Sequence, residues 1–129
     1  MPSTFIARVV PVGKPRMTQR DKWQKRPAVL RYRAFADQLR LCANAAGFTP
    51  ERLKDVSVLD WVAYLPMPES WSAKKKAELR GQPHRQKPDR DNLDKAVLDS
   101  LFDDDCGVYA GHLVKRWDDG GGPRLEITL

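Results

Sequence analysis

The 19-residue stretch KPDRDNLDKAVLDSLFDDD, Lys87 to Asp105, holds seven of the chain's 17 acidic residues. Asp89 and Asp91 stand one residue apart, Lys95 follows four after Asp91, and Asp103, Asp104 and Asp105 close the stretch. Carboxylates gathered beside a lysine suit a hard divalent cation such as Mg²⁺ or Mn²⁺. A cation so held lowers the pKa of a bound water and neutralises charge on a phosphate. A pair of such ions about 4 Å apart stabilises both the attacking and the leaving oxygen. The plainer account is a helix start, because Asp is favoured there by capping and by the helix dipole with no function required.

The spacing predicts a helix from Asp89 to Phe102. Lys87 precedes a proline and is pushed out of the α region, Pro88 stands at the entrance, and Asp89 is a natural cap. Leu93, Ala96, Val97 and Leu101 repeat at helical intervals and form the core face. Asp91, Lys95 and Asp99 repeat at i, i+4 and i+8 and share the opposite face, where Asp91 and Lys95 also make a favourable helix pair. A cap residue outside the helix can turn, so Asp89 can meet Asp91, and Lys95 reaches them from one turn on. If the strand beginning near Val108 runs beside a central strand, one member of the Asp103–Asp105 triplet returns to the pair.

Other elements must position this segment. Thr4 to Val12 is strand-like and Gly13 to Pro27 a cationic loop. Ala28 to Ala46 is helical, with Leu30, Ala34, Leu41 and Ala45 recurring beside Phe35 and Leu39, and Gly47 as the stop. Asp55 to Met67 predicts a long central strand covered on both sides. Pro68 to Gly81 is a short helix capped by Ser70 or Ser72. Gly107 to Trp117 and Arg124 to Leu129 are strands, with DDGGGP between them as a hairpin loop. The expected fold is one α/β or α+β domain over residues 1–129, a mixed sheet with helices packed on it in the order β-α-β-(α)-α-β-β.

The balance of 23 Lys and Arg against 17 Asp and Glu gives a net charge of +6 and a pI near 9.5, which favours an anionic partner, nucleic acid before membrane. No apolar run is long enough to cross a bilayer and the first residues lack a signal-peptide pattern, so the expectation is a cytoplasmic protein. The two cysteines, Cys42 and Cys106, have neither metal nor disulfide spacing. His84 and His112 lack a His or Cys partner at metal spacing, and no serine or cysteine has a nucleophile context.

KPDRDNLDKAVLDSL resembles the signature of the RusA family of Holliday junction resolvases of bacteria and their phages. The similarity lies in the Asp-x-Asp-Asn-Leu core, the lysine four residues after its second Asp, and the Ala-x-x-Asp-x-Leu that follows. DDDCGVYAGHLVKRW looks like the family's acidic pair leading into a strand, and GGGPRLEITL like its closing strand. The Gly-Lys-Pro-Arg after the first strand also fits. The resemblance implies a Mg²⁺-dependent endonuclease, with Mn²⁺ as a substitute, acting as a homodimer that cuts two opposed strands of a four-way DNA junction in recombination and repair. It places the catalytic and metal-holding aspartates on Asp89, Asp91 and Asp105, with Asp104 as runner-up, and the essential lysine on Lys95. The link from helix to acidic pair is shorter than in some members, and Gly107 stands where Gln is frequent.

Gly13 to Arg33 holds eight Lys or Arg against one Asp. From it Lys14, Arg16, Arg20, Lys22, Lys25 and Arg26 are candidate phosphate contacts, with Trp23 as a stacking group. Lys74, Lys75, Lys76, Arg80, Arg85 and Lys87 form a second basic group. Runs of this kind are also ordinary solvated faces. A second functional reading is a non-catalytic DNA-binding protein whose acidic segment only caps a helix. A homodimer also has a physical reason, since a four-way junction offers two symmetric cleavage points to a twofold pair of sites. Leu98 points off the expected core face and is a candidate interface residue.

Overall fold

The computed structural model describes residues 3–16 and 26–129. Eight elements follow in order: β1 (Thr4–Ala7), α1 (Pro27–Ala45), α2 (Pro50–Leu53), β2 (Asp60–Leu65), α3 (Ala73–Leu79), α4 (Arg90–Leu101), β3 (Leu113–Trp117) and β4 (Arg124–Thr128). This is an α+β domain in the expected order, with α2 added. That short turn has a legible signal: Thr49 accepts from Arg52 N at 3.3 Å and Pro50 stands in the first turn.

The strands form one mixed sheet in the order β1-β4-β2-β3. β2 pairs parallel with β3, Trp61 opposite Leu113, and antiparallel with β4, Trp61 opposite Ile127. β1 pairs antiparallel with β4, Phe5 opposite Ile127. β2 therefore lies between β3 and β4, and DDGGGP carries the chain across it instead of closing a hairpin. The paired stretch of β2 is also shorter than Asp55–Met67, and only alternate residues, Trp61, Ala63 and Leu65, are buried. One sheet face is covered, by α1 and α4, and the other is half exposed. β1 ends at Ala7, where Val9 N turns back to Ala7 O at 2.9 Å.

The core joins Phe5, Phe35, Leu39, Trp61, Leu93, Val97, Leu125 and Ile127. On α4 the expected face, Leu93, Ala96, Val97 and Leu101, is the buried one. On α1 the buried stripe is Val29, Tyr32, Phe35, Ala36, Leu39 and Ala43, and the expected Leu30 and Leu41 stay 45% and 63% exposed. Two apolar stripes run along this helix about 100° apart, and a single-layer contact with β1 and α4 buries one of them. The helix ends are conventional: Ser72 caps α3 by accepting from Lys75 N at 3.2 Å, and Gly47 follows α1 with φ +93°.

Two local features hold the strands in place. At Gly111 a Cβ would fall 2.0 Å from Leu59 O, and the adjacent ladder bonds Leu59 N to Ala110 O and Trp61 N to His112 O are 3.0 and 3.1 Å. Only glycine permits that approach. In the loop before β4, Arg124 is buried and makes a two-pronged pair with Asp119, both contacts 3.0 Å, while its guanidinium sits 3.8 Å over the Tyr64 ring. The Arg124 hydrogen bond, with help from Gly121 N, lowers the Asp119 carboxyl to about 2.

Gly111→Ala is expected to lower the stability of the fold by about 2 kcal/mol or more, because the backbone must move to admit the methyl group. Urea unfolding of the variant against wild type measures this as a lower midpoint. Asp119 has a depressed folded pKa, so its contribution is complete above the ordinary carboxylate pKa of 3.8 and is lost as pH falls toward about 2. Asp119→Asn is expected to lower the melting temperature at pH 7 and to narrow the gap from wild type as pH is taken down through that window, read by thermal melts at a series of pH values.

Candidate active site

The start of α4 is where the chemistry-bearing residues meet. Asp89 is the N-cap, with extended backbone at φ −64° and ψ 149°, and Leu93 N donates to its carbonyl at 3.0 Å. Its side chain makes no capping bond; it turns away from the helix to Lys87 Nζ, at 2.8 and 3.0 Å from its two oxygens. The Lys87 ammonium holds the Asp89 carboxyl below its usual range, and Asp89, then more weakly Asp91, raises the pKa of Lys87. Asp91 lies exposed in the first turn, where the positive end of the helix dipole favours its charge. Asp89 and Asp91 thus both stand at one helix end, with the Asp89 side chain on Lys87.

The loop that presents Asp89 is clamped from two sides. Lys115, on β3, donates to the carbonyls of Gln86 and Pro88, both at 2.7 Å. Burial lowers the Lys115 pKa, opposed by the negative charge of Asp89. From the other side the N-terminal segment lies against the helix: Lys14 N donates to Asn92 O at 3.2 Å, and a Cβ on Gly13 would meet Pro88 Cβ at 2.9 Å. α4 is locked to the sheet by Trp61 Nε1, which donates to Asp94 at 3.0 Å. Lys115 and Asp94 escaped the sequence reading. Lys115 takes backbone carbonyls as acceptors, and these leave no mark in a sequence, whereas Asp94 sat inside the acidic motif without a role.

Lys95 is exposed one turn beyond Asp91. Asp99, a turn further, is paired with Lys14. That hydrogen bond raises the Lys14 pKa, and Asp105 adds a smaller pull in the same direction. Asp105 follows the end of α4, within electrostatic reach of Lys14. Its exposed carboxylate follows that of Asp104, which accepts from Cys106 N at 3.0 Å and is held in its charged form by that bond. The strand after the triplet does run beside β2, as expected. Because it runs parallel to β2 while α4 crosses back between them, the triplet arrives at the end of α4 and not at its start. Among the described residues no group of three or more His, Cys, Asp and Glu is placed to hold a metal ion. The donors are of the right chemistry for a hard cation, and two of them, Asp89 and Asp91, stand at the start of the same helix.

The second basic group lies at the Asp89 end. Trp117 N donates to Gln82 O at 2.9 Å and His84 N to Lys115 O at 3.0 Å, which tie the connector to the last residues of β3. The Trp117 ring stands 4.8 Å from Trp71 and 4.2 Å from the buried His84, and Lys75 lies 4.0 Å over Trp71. Lys74, Lys75, Arg80, Arg85 and Lys87 are exposed around this stack, and Lys76 is half-buried. His84 is packed against the tryptophan, and its pKa is lowered by burial and by Lys115. In the first basic group, Lys14 is engaged with Asp99, Arg16 is exposed, and Arg26 donates to Arg16 O at 2.7 Å. Arg20, Lys22, Trp23 and Lys25 lie outside the described residues. Among the described residues no helix is long and apolar enough to cross a membrane.

No curated protein matches the chain. The family model for endodeoxyribonuclease RusA matches residues 8–129, which include the clamped Asp-x-Asp loop, α4, and the strands that support them. With the match running through nearly the whole domain, the chain belongs to the RusA endodeoxyribonuclease family.

Proposed function

We propose that this protein is a Mg²⁺-dependent, structure-selective endonuclease that resolves four-way DNA junctions by paired cuts in opposed strands, working as a homodimer. The observation that carries the reading is the presentation of Asp89 and Asp91. A helix cap with no other duty would bond its own helix, yet Asp89 faces outward and its loop is gripped by Lys115 and by Gly13–Lys14. Such bracing around an exposed carboxylate is what a ligand for a hard cation needs.

In this reading Asp89, Asp91 and Asp105 hold the metal, and Asp105 is favoured over Asp104 because the Asp104 carboxylate is already engaged by Cys106 N. Such an ion would supply charge neutralisation at the phosphate and would lower the pKa of the attacking water. Lys95, exposed on the same helix face as Asp91, offers an ammonium to the scissile phosphate. Lys87 neutralises Asp89 at the position a cation would occupy. Lys74, Lys75, Arg80, Arg85 and Lys87 carry the backbone of a DNA arm past the Asp89 end, chiefly through phosphate contacts. Arg16, Arg20, Lys22, Lys25 and Arg26 take a second arm. Acting on DNA in this reading, the protein would work in the cytoplasm of a bacterial or phage-infected cell.

Cleavage of an immobile four-way junction, with linear duplex as control, tests the reading. Wild type with Mg²⁺ is expected to give symmetric paired nicks, and EDTA to abolish them. Asp91→Asn is expected to cut slower by on the order of 100-fold or more while binding the junction at least as tightly. Tight, metal-independent binding by folded wild type without cutting would instead leave a DNA-binding protein with a capped helix.

Lys115→Met removes the cation that fixes the Asp89 loop without touching DNA. It is expected to lower the cleavage rate by about 10-fold and to raise the Mg²⁺ concentration needed for half-maximal rate. Junction affinity in EDTA should stay unchanged, and Lys115→Arg should recover part of the loss. An unchanged Mg²⁺ requirement in Lys115→Met would remove the positioning role.

A further inference from the structure

A cavity of about 280 Å³ opens beside the loop that carries Asp89. Leu65 and Trp117, the buried last residues of β2 and β3, form part of its lining. Val10 borders it from the segment after β1, and Lys87 from the loop itself. Lys87 thus faces the cavity while its Nζ holds Asp89. His84 is also in the wall. It is 6% exposed, its ring lies 4.2 Å from that of Trp117, and its Nδ1 is buried with no hydrogen-bond partner among the described residues. Burial and the charge of Lys115 lower its pKa, so at pH 7 the ring is neutral, with one N–H and one bare nitrogen. A buried polar nitrogen without a partner is rare in a folded chain and calls for an explanation. The bracing of the Asp89 loop supplies none, because it uses the His84 backbone N–H and the Lys115 ammonium and not the imidazole.

Resting on the nuclease reading above, we infer that this cavity receives a single nucleobase, turned out of the stack from the strand whose phosphate lies at Asp89. Apolar and aromatic walls with one polar group are what a splayed base needs, a packing surface for its faces and a partner for its edge. The volume falls just below that of drug-sized pockets, which suits one flat ring system and not a larger ligand. The charge around it fits the same occupant, since Lys87 at the rim and the exposed Arg85 in the same connector meet the phosphates on either side of the base. A base near a branch point is turned out at the least cost, because its pairing and stacking are already weakened. In the occupied pocket the imidazole tilts to present Nδ1 to the polar edge of the base. His84 thereby discriminates among bases beside the cut, and the pocket sets a sequence preference on top of the recognition of shape.

Abasic mapping tests this without cleavage. Four-way junctions with a single abasic position, walked outward from the branch point along each strand, are bound in EDTA by full-length wild type, Val10→Trp and His84→Phe. Val10 is 53% exposed at the rim, so the larger ring plugs the cavity without cutting into the core. Wild type is expected to lose about 10-fold in affinity at one position in each strand that it engages. Val10→Trp is expected to bind the intact junction about 10-fold more weakly and to lose nothing further at that position, as follows when a ring and a base compete for one space. His84→Phe keeps an aromatic ring against Trp117 and removes both ring nitrogens. It is expected to remain sensitive to the missing base while levelling the several-fold differences that wild type shows among the four bases there. The inference falls if no position is singled out, or if Val10→Trp stays as sensitive to the missing base as wild type. Gln86→Trp, from another exposed residue of the lining, is the second plug should Val10→Trp misfold. Cleavage of the same junctions in Mg²⁺ separates the two readings. A wild type that cuts but singles out no base keeps the nuclease reading and overturns the pocket. One that singles out a base through the pocket and never cuts keeps the pocket and sinks the nuclease reading.

Discussion

The parallel pairing of β2 with β3 is the constraint on which the rest of the molecule depends. Two parallel neighbours cannot be joined by a hairpin, so the chain must leave the end of β2 and return to the start of β3. α3, the basic connector and α4 make that return. The direction of α4 is then fixed. Its start lies by the last residues of β3, where Lys115 can reach the loop carrying Asp89, and its end lies by the first residues of β3, where Asp105 is. The pairing in turn rests on Gly111, whose lack of a side chain lets β3 approach the Leu59 carbonyl.

From this frame the electrostatics divide in two. At the start of α4, carboxylates and cations interleave: Asp89 with Lys87, with Lys115 behind and the exposed lysines of α3 to the side. Close pairs of this kind hold carboxylates ionised. At its end the Lys14–Asp99 pair ties the N-terminal segment to the helix, with Asp105 nearby. The basic surface and the acidic motif are therefore complementary parts of one arrangement. A positive surface attracts a polyanion, and in the nuclease reading proposed above the local carboxylates would hold a divalent cation against that background.

Much of this was legible in the residues. The burial of Leu93, Ala96, Val97 and Leu101 follows from a helical repeat with one apolar stripe and a charged opposite face. The Asp89 cap position follows from Pro88 and the Asp-x-Asp spacing. α1 was less legible because it carries two apolar stripes, and Leu30 and Leu41 lie on the one left exposed. The DDGGGP turn looked like a hairpin because local sequence reports that the chain reverses, and does not report which strand lies between the reversed segments.

The sequence by itself determined the local chemistry: which residues start α4, which face it buries, that Asp89, Asp91 and Lys95 share one helix end, and that the surface is basic. These follow from interactions only a few residues long, so spacing encodes them. The position of Asp105 relative to that helix end, the clamp of Lys115 on the Asp89 loop, and the burial of one α1 stripe were decided by tertiary structure alone. Each depends on the direction and neighbours of strands far apart in the chain, which are set by how the whole core packs and not by any single segment.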